Sequence, residues 1–209
     1  MIDQILPDLY RITLPMPFRL RHVHVYALLH DGNVALFDTG MNIPETYKVL
    51  DEALATLGKT TRDIDCIFLT HMHADHCGIA GRIQEISGAS VYLSAPDDAR
   101  LQYNSRHEEL IERARNFFLP QGLPLKAMDN LVKLMAVFRK ATIPFRVERH
   151  LEPRDTFTLG ARTVEVIPAP GHTAGQMCFY LPGDEILLAG DHILPDITPN
   201  LSPDIFRLE

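Results

Sequence analysis

The residues with the clearest chemical potential lie in the stretch THMHADHCG, residues 70–78, which holds three histidines, one aspartate and one cysteine. His71, His73, Asp75 and His76 form the pattern H-x-H-x-D-H. Imidazole nitrogens and carboxylate oxygens are ligands that suit zinc and neighbouring divalent ions. The stretch therefore predicts a metal site. Solvated loop histidines that bind no metal are the plain alternative.

Two later stretches carry side chains of the same kinds. PAPGHTAGQ (168–176) places His172 in a loop rich in glycine and proline, and LLAGDHILP (187–195) places Asp191 directly after an apolar run. Either residue by itself would more often belong to ordinary turn chemistry or face solvent. Because both follow predicted strands, as the first cluster does, we interpret them together as metal ligands.

The first half of the chain contains elements that could position these residues. LYRITL and HVHVYALLHDGNVALFDTG read as strands, and Asp31-Gly32 marks a hairpin turn. NIPETYKVLDEALATLG predicts a helix, with Asn42 as N-cap, Pro44 in the first turn and Gly58 at the end. The apolar run IDCIFLT (64–70) predicts a buried strand that leads straight into the histidine cluster. A short helix at GRIQEIS and a strand at SVYLS would complete a β-loop-α-β unit.

Residues 97–143 predict a helical hairpin inserted between two β-rich halves, with Pro120, Gly122 and Pro124 between the helices. Its role is open between packing over the sheet and forming a substrate-pocket wall or dimer surface. From residue 155 onward, DTFTLGARTVEVIPAPG and QMCFYLPGDEILLAGD predict two hairpins, the second turning at Pro182-Gly183. The apolar faces of the two predicted helices consist of Leu110, Ile111, Ala114, Phe117 and Phe118, and of Leu125, Met128, Leu131, Val132, Met135 and Phe138.

Composition narrows the class of protein. A chain of 209 residues that is 46% hydrophobic suits one globular domain, here residues 1–209. The net charge of −7 and the absence of a basic run speak against a nucleic-acid partner, and no apolar run is long enough to span a membrane. Cys66, Cys77 and Cys178 are too few for a disulfide framework, and the N-terminus does not read as a secretory signal. We therefore expect a cytoplasmic protein that acts on a small molecule.

THMHADHCG, PGHTAG and LLAGDHIL, in this order and preceded by VALFDTG, resemble the motifs of the metallo-β-lactamase superfamily of metallo-hydrolases. The resemblance covers most of residues 9–195 and implies an α/β fold of the αββα sandwich type, with a binuclear metal site. It implies that His71, His73 and His172 hold the first ion. It also implies that the second ion is held by Asp75 and His76 and is bridged to the first by Asp191.

The resemblance implies a mechanism as well. Two Zn²⁺ ions, with Fe or Mn as alternatives, would generate a metal-bound hydroxide that attacks an ester-like substrate such as a thioester or lactone. Asp75 would be both a ligand and the catalytic proton shuttle. Two alternatives stay open: a mononuclear iron dioxygenase of the persulfide-oxidising type built on the three histidines, and an inactive fragment that binds one metal ion.

One part of the superfamily pattern is not found. The resemblance implies another ligand histidine well after Asp191, whereas the one histidine that follows in this sequence is the adjacent His192. We therefore expect the chain to lack the C-terminal part of the fold, including the end of its second half, so that the second site is one ligand short and one bound ion is an alternative to two. The exposed sheet edge that would result favours a homodimer.

Several neighbouring residues have competing interpretations. Asp38, in VALFDTG, is either a residue that orients the ligand loop or a cap of the turn at Thr39-Gly40. Cys77 is interpreted as a packing residue and His192 as a flanking, solvent-facing one. The alternating histidines of the first half are interpreted as structural: His22, His24 and His30.

Overall fold

The computed structural model describes residues 1–18, 20–104 and 106–201. The strands are β1 (Ile2–Gln4), β2 (Leu9–Pro15), β3 (His22–His30), β4 (Asn33–Phe37), β5 (Ile64–Phe68), β6 (Ser90–Ser94), β7 (Val147–Leu151), β8 (Thr156–Leu159), β9 (Arg162–Pro168), β10 (Met177–Leu181) and β11 (Ile186–Leu188). The helices are α1 (Pro44–Thr56), α2 (Ala74–Cys77), α3 (Ala80–Ser87), α4 (Ala95–Asn104), α5 (His107–Phe118) and α6 (Leu125–Lys140).

The strands form two sheets. Strands β1 to β7 follow one another in chain order across a seven-stranded sheet, antiparallel from β1 to β4 and parallel from β4 to β7. Strands β8 to β11 form a four-stranded antiparallel sheet. The predicted hairpin turn is confirmed, because Asp31 and Gly32 both have the positive φ angles that such a tight turn requires. The hairpins predicted after residue 155 are confirmed as β8–β9 and β10–β11.

The faces of the two sheets meet in an aromatic core. The rings of Phe37 and Phe68, on neighbouring parallel strands, stack with centroids 5.2 Å apart, and Phe179 of the second sheet lies 5.2 Å from Phe37. These rings are almost completely buried. Fully burying an aromatic side chain of this size contributes roughly 1.5–3 kcal/mol. The core therefore holds the ends of β4 and β5 and the middle of β10 in a fixed relation.

A second apolar core lies on the opposite face of the larger sheet, beneath helices α1 and α3. The described part of the chain thus forms a helical layer and two sheet layers, which confirms the predicted α/β sandwich. Within residues 1–18, 20–104 and 106–201 no helix covers the outer face of the smaller sheet, where Ile167 and Leu187 are exposed. Residues 194–201 contain neither helix nor strand, and residues 202–209 lie outside the described part.

Two details of the sequence interpretation are wrong. The inserted segment contains three helices, because α4 begins directly after β6 and precedes the two predicted helices. The insert also joins neighbouring strands of one sheet, since β6 pairs with β7 in parallel. In the predicted apolar face of the second helix, Leu125 is exposed and Met128 is buried. The side chain of Phe138, from the same face, lies outside the described part.

The start of α1 also differs from the prediction. Ile43 stands at the N-cap position, and α1 begins at Pro44, whose fixed φ suits the first turn. Asn42 does not cap the helix; its side-chain oxygen instead accepts a 2.7 Å hydrogen bond from the Tyr47 hydroxyl. Asn42 thus lies one residue before the N-cap position and does not cap the helix. Its hydrogen bond to Tyr47 still connects it with the first turn of α1.

The described helices include none that is long and apolar enough to cross a membrane. Cys66, Cys77 and Cys178 are all buried free thiols. This agrees with the prediction that they form no disulfide framework. The cytoplasmic location stays a prediction.

Gly78, which follows α2, packs so tightly that a side chain has no room. A Cβ atom there would lie 2.7 Å from the backbone oxygens of both Gly40 and Ala141. Gly78→Ala is therefore expected to lower the free energy of unfolding by about 2–3 kcal/mol, because backbone atoms cannot move aside. Chemical denaturation measures the effect. Gly183→Ala, where a Cβ meets nothing within 4 Å, is the control, and an equal loss in both variants would contradict the packing argument.

Candidate metal centre

The predicted ligands converge at the ends of strands from both sheets. His71 and His73 follow β5, and α2, which begins at Ala74, carries Asp75 and His76. His172 lies in the loop between β9 and β10, and Asp191 lies in a single 3₁₀ turn after β11. The backbone N–H of Met177 donates to Thr70 O at 2.8 Å, which joins the ends of the two sheets beside these loops. Residues far apart in sequence are thereby brought into one cluster, as predicted.

The first group consists of the three histidines that were assigned to the first ion. His73 Nδ1 lies 3.0 Å from His71 Nε2 and 2.8 Å from His172 Nε2. His71 is fully buried, and burial followed by the neighbouring imidazoles lowers its pKa well below the ordinary histidine value. Burial and the His172 ring likewise lower the pKa of His73 to about 4. All three nitrogens lie within 4.8 Å of one another, so one cation could contact them together.

The hydrogen bonds of the outer ring nitrogens show that this group fits a cation. His172 Nδ1 lies 2.7 Å from Asn200 O, which can only accept, so the ring donates there and Nε2 keeps a lone pair. The Thr70 hydroxyl donates to Asp38, so the Nδ1–H of His71 donates to Thr70 Oγ1 at 3.0 Å and its Nε2 is also a lone pair. A single N–H on His73 Nδ1 cannot satisfy both lone pairs. A metal ion, in contrast, would accept one lone pair from each of the three ring nitrogens.

The second group contains His76 and Asp191, with His71 at its border. Asp191 Oδ1 lies 3.2 Å and Asp75 Oδ2 lies 3.7 Å from His76 Nε2. His76 Nε2 is buried, and these charge contacts lack hydrogen-bond alignment, so the atom has no hydrogen-bond partner among the described residues. An unpartnered nitrogen between two carboxylates fits a cation as well.

Charge controls the protonation of this second group. Burial by itself would lower the pKa of His76, but the carboxylates of Asp38 and Asp75 raise it well above the ordinary value. Burial opposes ionisation of Asp191, yet the His76 ring beside it lowers the pKa of that carboxyl. Without a cation, the nearby carboxylates therefore favour the protonated form of the His76 ring. A divalent ion would take the place of that proton.

Asp191 lies between the two groups. Its Oδ1 contacts His76 Nε2 at 3.2 Å, and its Oδ2 lies 3.5 Å from His172 Nε2. One oxygen thus faces each group, which is the arrangement that a bridging ligand needs. The structure brings together all six predicted ligands, namely His71, His73, Asp75, His76, His172 and Asp191.

Asp38 orients the cluster from below. Its carboxylate accepts hydrogen bonds from the Thr70 backbone N–H at 2.8 Å, from the Thr70 hydroxyl, and from His76 Nδ1 at 2.8 Å. These contacts favour the orienting role over the capping of Thr39-Gly40. The backbone of Asp38 has a φ of +59°, a left-handed conformation in which Asp and Asn are among the better tolerated residues. The hydroxyl of Thr70, which was not predicted, contacts both this carboxylate and His71 Nδ1 and so connects the two.

Replacing Asp38 by asparagine tests this orienting role. Asn tolerates the same backbone conformation, but its amide nitrogen cannot accept a hydrogen bond from His76 or Thr70. We expect the affinity for the second ion to fall roughly 10–100-fold, as is typical when a partner of a ligand histidine is lost. Titration with zinc against a competing chelator measures the change. An unchanged affinity for the second ion would show that His76 is oriented without Asp38.

Two neighbours of the ligands agree with their interpretations. The Cys77 thiol is buried and donates to Met72 O at 3.0 Å, and burial raises its pKa, so it acts as a packing residue. His192 is exposed to solvent. Neither residue belongs to the clusters of possible metal ligands found in the described part of the chain.

A cavity of about 450 Å³ lies beside the second group. Asp75, His76 and Asp191 line it together with the loop before β3 and residues 193–197. Among the described residues, none of helices α4 to α6 lines this cavity, so the role of the inserted helices stays open. Arg11, His22, His24 and Tyr26 also line this cavity.

The structural interpretation of His22 and His24 stays a prediction, although both histidines line this cavity. The Thr13 hydroxyl lies 3.1 Å from His24 Nδ1, and burial followed by Arg11 lowers the pKa of His24. Their alternation on one strand predicted a shared face, but not that the face borders the metal cluster. His30 points elsewhere and bonds Asp65 at 3.0 Å.

His30, Asp65 and Cys66 form another set of possible ligand atoms, at the opposite end of β5. Asp65 already accepts hydrogen bonds from His30 and from the Cys66 thiol. Burial, together with the Asp65 charge, raises the pKa of Cys66, which disfavours the thiolate that a metal would need. We interpret these contacts as a hydrogen-bonded pair with a packed thiol.

Comparisons with known proteins agree with the motifs. The family model described as the metallo-beta-lactamase superfamily matches residues 19–208. The probable metallo-hydrolase YqjP of Bacillus subtilis is 28% identical over 201 residues, which cover 92% of this chain and 59% of that protein. A hydroxyacylglutathione hydrolase of Brucella ovis is 29% identical over 164 residues, covering 78% of this chain and 45% of that protein.

A solved structure gives the same result for the fold. The metallo-beta-lactamase family protein TTHA1429 from Thermus thermophilus superposes with a TM-score of 0.87 at 30% identity, covering 97% of this chain and 65% of that one. This chain therefore spans about half to two thirds of the length of these proteins. The family match extends over most of the chain and includes every predicted ligand. The chain belongs to the metallo-beta-lactamase superfamily.

Proposed function

We propose that the protein is a metal-dependent hydrolase that acts on a small ester-like substrate, a thioester or a lactone. The observation that carries this proposal is the convergence of the ring nitrogens of His71, His73 and His172, which lack enough hydrogens to satisfy one another. Asp191 connects this group with a second one at His76. Two adjoining candidate cation groups, the second of which lines a cavity, suit hydrolysis.

The residues have distinct parts in this proposal. His71, His73 and His172 would hold the first ion, and Asp75 and His76 would hold the second, with Asp191 shared between them. When bound, zinc or a similar divalent ion would lower the pKa of water towards neutrality and polarise the substrate carbonyl. Asp38 and Thr70 keep the ligand rings in the tautomers that present lone pairs to the site.

Asp75 is the candidate for proton transfer. Its side chain is 22% exposed, lines the cavity, and lies 3.7 Å from His76. A carboxylate that borders both the ligand cluster and the open cavity can accept a proton from water and release it to a leaving group. The aliphatic and aromatic residues in the cavity would contact an acyl chain, while the Arg11 side of the wall offers hydrogen-bond donors.

The names of relatives support the class of substrate. One is named a probable metallo-hydrolase, and another carries the name of a hydrolase of an acylated glutathione. Acyl compounds are therefore the first substrates to test. The net charge of −7 also favours a small molecule over a nucleic acid.

The test is a panel of acyl thioesters, lactones, aryl esters and phosphodiesters, assayed with the apo protein and after loading with zinc. We expect hydrolysis of a thioester or lactone that is lost after chelation and restored by zinc. A metal-loaded, folded protein that hydrolyses none of these compounds would overturn the proposal. Oxygen uptake that depends on a thiol substrate and on one iron per chain, without hydrolysis, would overturn it in favour of the dioxygenase alternative.

A further inference from the structure

A buried carboxylate outside the predicted site contacts both loops that carry the first histidine group. Asp97 lies in the first turn of α4, directly after β6, and is only 1% exposed. No motif in the sequence pointed to it. Burying a carboxylate is costly unless each oxygen is well hydrogen-bonded. Its surroundings should therefore show what the charge is used for.

Both oxygens of Asp97 are used to join the two loops. Oδ2 accepts hydrogen bonds from the Met72 backbone N–H at 3.0 Å and from the Thr173 hydroxyl at 2.8 Å. Oδ1 accepts one from the Gly175 backbone N–H at 2.9 Å. Met72 is flanked in sequence by two of the three histidines, and Thr173 directly follows the third. Each of these histidines is thus next in sequence to a residue that Asp97 binds.

The loop around Gly175 is shaped to admit this carboxylate. A Cβ atom on Gly175 would lie 2.1 Å from Ser94 Oγ and 2.7 Å from Asp97 Oδ1, so no other residue could bring its backbone N–H this close. The backbone hydrogen bond from Met177 to Thr70 joins the bases of the two loops. Asp97 joins their tips, which come from different sheets. The distance between His172 and the pair of histidines after β5 is therefore fixed at two points.

We propose that Asp97 is a positioning residue for the first metal ion, which it serves by holding the His172 loop against the loop that carries His71 and His73. This inference rests on the three-histidine metal site proposed above. Because Asp97 contacts none of the ligand atoms, its effect must pass through backbone position. A ligand set displaced by even a fraction of an ångström binds its ion more weakly.

The test uses Asp97→Asn with Asp98→Asn as a matched control. The amide introduced by the first change would keep the shape but leave at least one of the three donors without an acceptor, whereas the neighbouring Asp98 bonds His150 on β7. Cobalt titration against a chelator measures the affinity for the first ion, and the cobalt absorption spectrum reports its coordination. We expect D97N to bind the first Co²⁺ roughly 10–100-fold more weakly, with an altered spectrum, and D98N to match the wild type.

A second pair of variants guards against misfolding of D97N. Thr173→Val removes one hydrogen bond at nearly constant volume, and Thr173→Ser retains the hydroxyl. We expect T173V to lower the affinity for the first ion about tenfold, and T173S to retain the wild-type affinity and spectrum. A purely structural role would lower the unfolding midpoint but leave the spectrum and affinity of the folded protein unchanged.

The outcomes separate the two proposals. If the wild type binds cobalt and the folded variants bind the first ion with wild-type affinity and spectrum, the positioning role of Asp97 is overturned while the metal site stands. If the wild type itself takes up no Co²⁺ or Zn²⁺, the metal site is overturned and the role of Asp97 fails with it. A selective loss of the first ion in D97N and T173V supports both.

Discussion

His172→Ala is expected to abolish tight binding of the first ion and to reduce kcat/KM on the order of a thousandfold. His172 supplies one of three convergent nitrogens and is the only one of them that comes from the β9–β10 loop. Losing a ligand removes charge stabilisation worth several kcal/mol, and each 1.36 kcal/mol corresponds to about a factor of ten in rate. Metal content and steady-state kinetics on the best substrate of the panel measure the two effects.

The choice of His172 keeps the fold intact. His71 is completely buried beneath the cluster, so its replacement would also create a cavity. His172 lies in a loop and, as a whole residue, is less buried than His71. His192→Ala is the matched control, because it removes an exposed histidine next to Asp191 that belongs to neither ligand group. If H192A lost as much activity as H172A, the assignment of the first site would be wrong.

Asp191→Asn is expected to lower the affinity for both ions, more for the second than for the first. It is also expected to lower kcat/KM roughly 100–1000-fold. The substitution keeps the shape of the side chain but removes its charge and one of its two oxygen ligands. The two oxygens lie 3.2 Å from His76 Nε2 and 3.5 Å from His172 Nε2, so either orientation of the amide leaves one group without its oxygen. Calorimetric zinc titration would resolve the two affinities.

Asp196→Asn provides the control for charge alone. Asp196 lines the same cavity but belongs to neither group of possible ligands. We expect it to retain activity within about a factor of two, as exposed substitutions usually do. Equal losses in D191N and D196N would mean that Asp191 acts through the general field of the cavity and not as a shared ligand.

The sequence was sufficient to predict the residues of the cluster. Strands with apolar runs end three positions before His71 and Asp191, and the ends of strands that meet at one edge of a sandwich bring their loops together. The H-x-H-x-D-H pattern further separates two histidines after the strand from a pair on the short helix α2. Local pattern and topology together therefore determined which side chains converge.

The supporting contacts could not be predicted in the same way. Asp97 lies in an ordinary helix start, and only the folded chain shows that Met72 and Gly175 approach it from two sheets. The role of the inserted helices could not be chosen from the sequence, because amphipathic faces do not reveal what they cover. The cavity beside the second group borders His24, whose alternating pattern indicates a strand face but not its neighbour.

The metal content of the purified chain tests the central claim most directly. The protein would be dialysed against zinc, freed of unbound ion, and compared by elemental analysis with the H172A variant. We predict at least one tightly held ion per chain in the wild type, a second ion that chelators remove more easily, and loss of the tight ion in H172A. Wild-type protein that retains no more metal than H172A would contradict the three-histidine site and the function proposed from it.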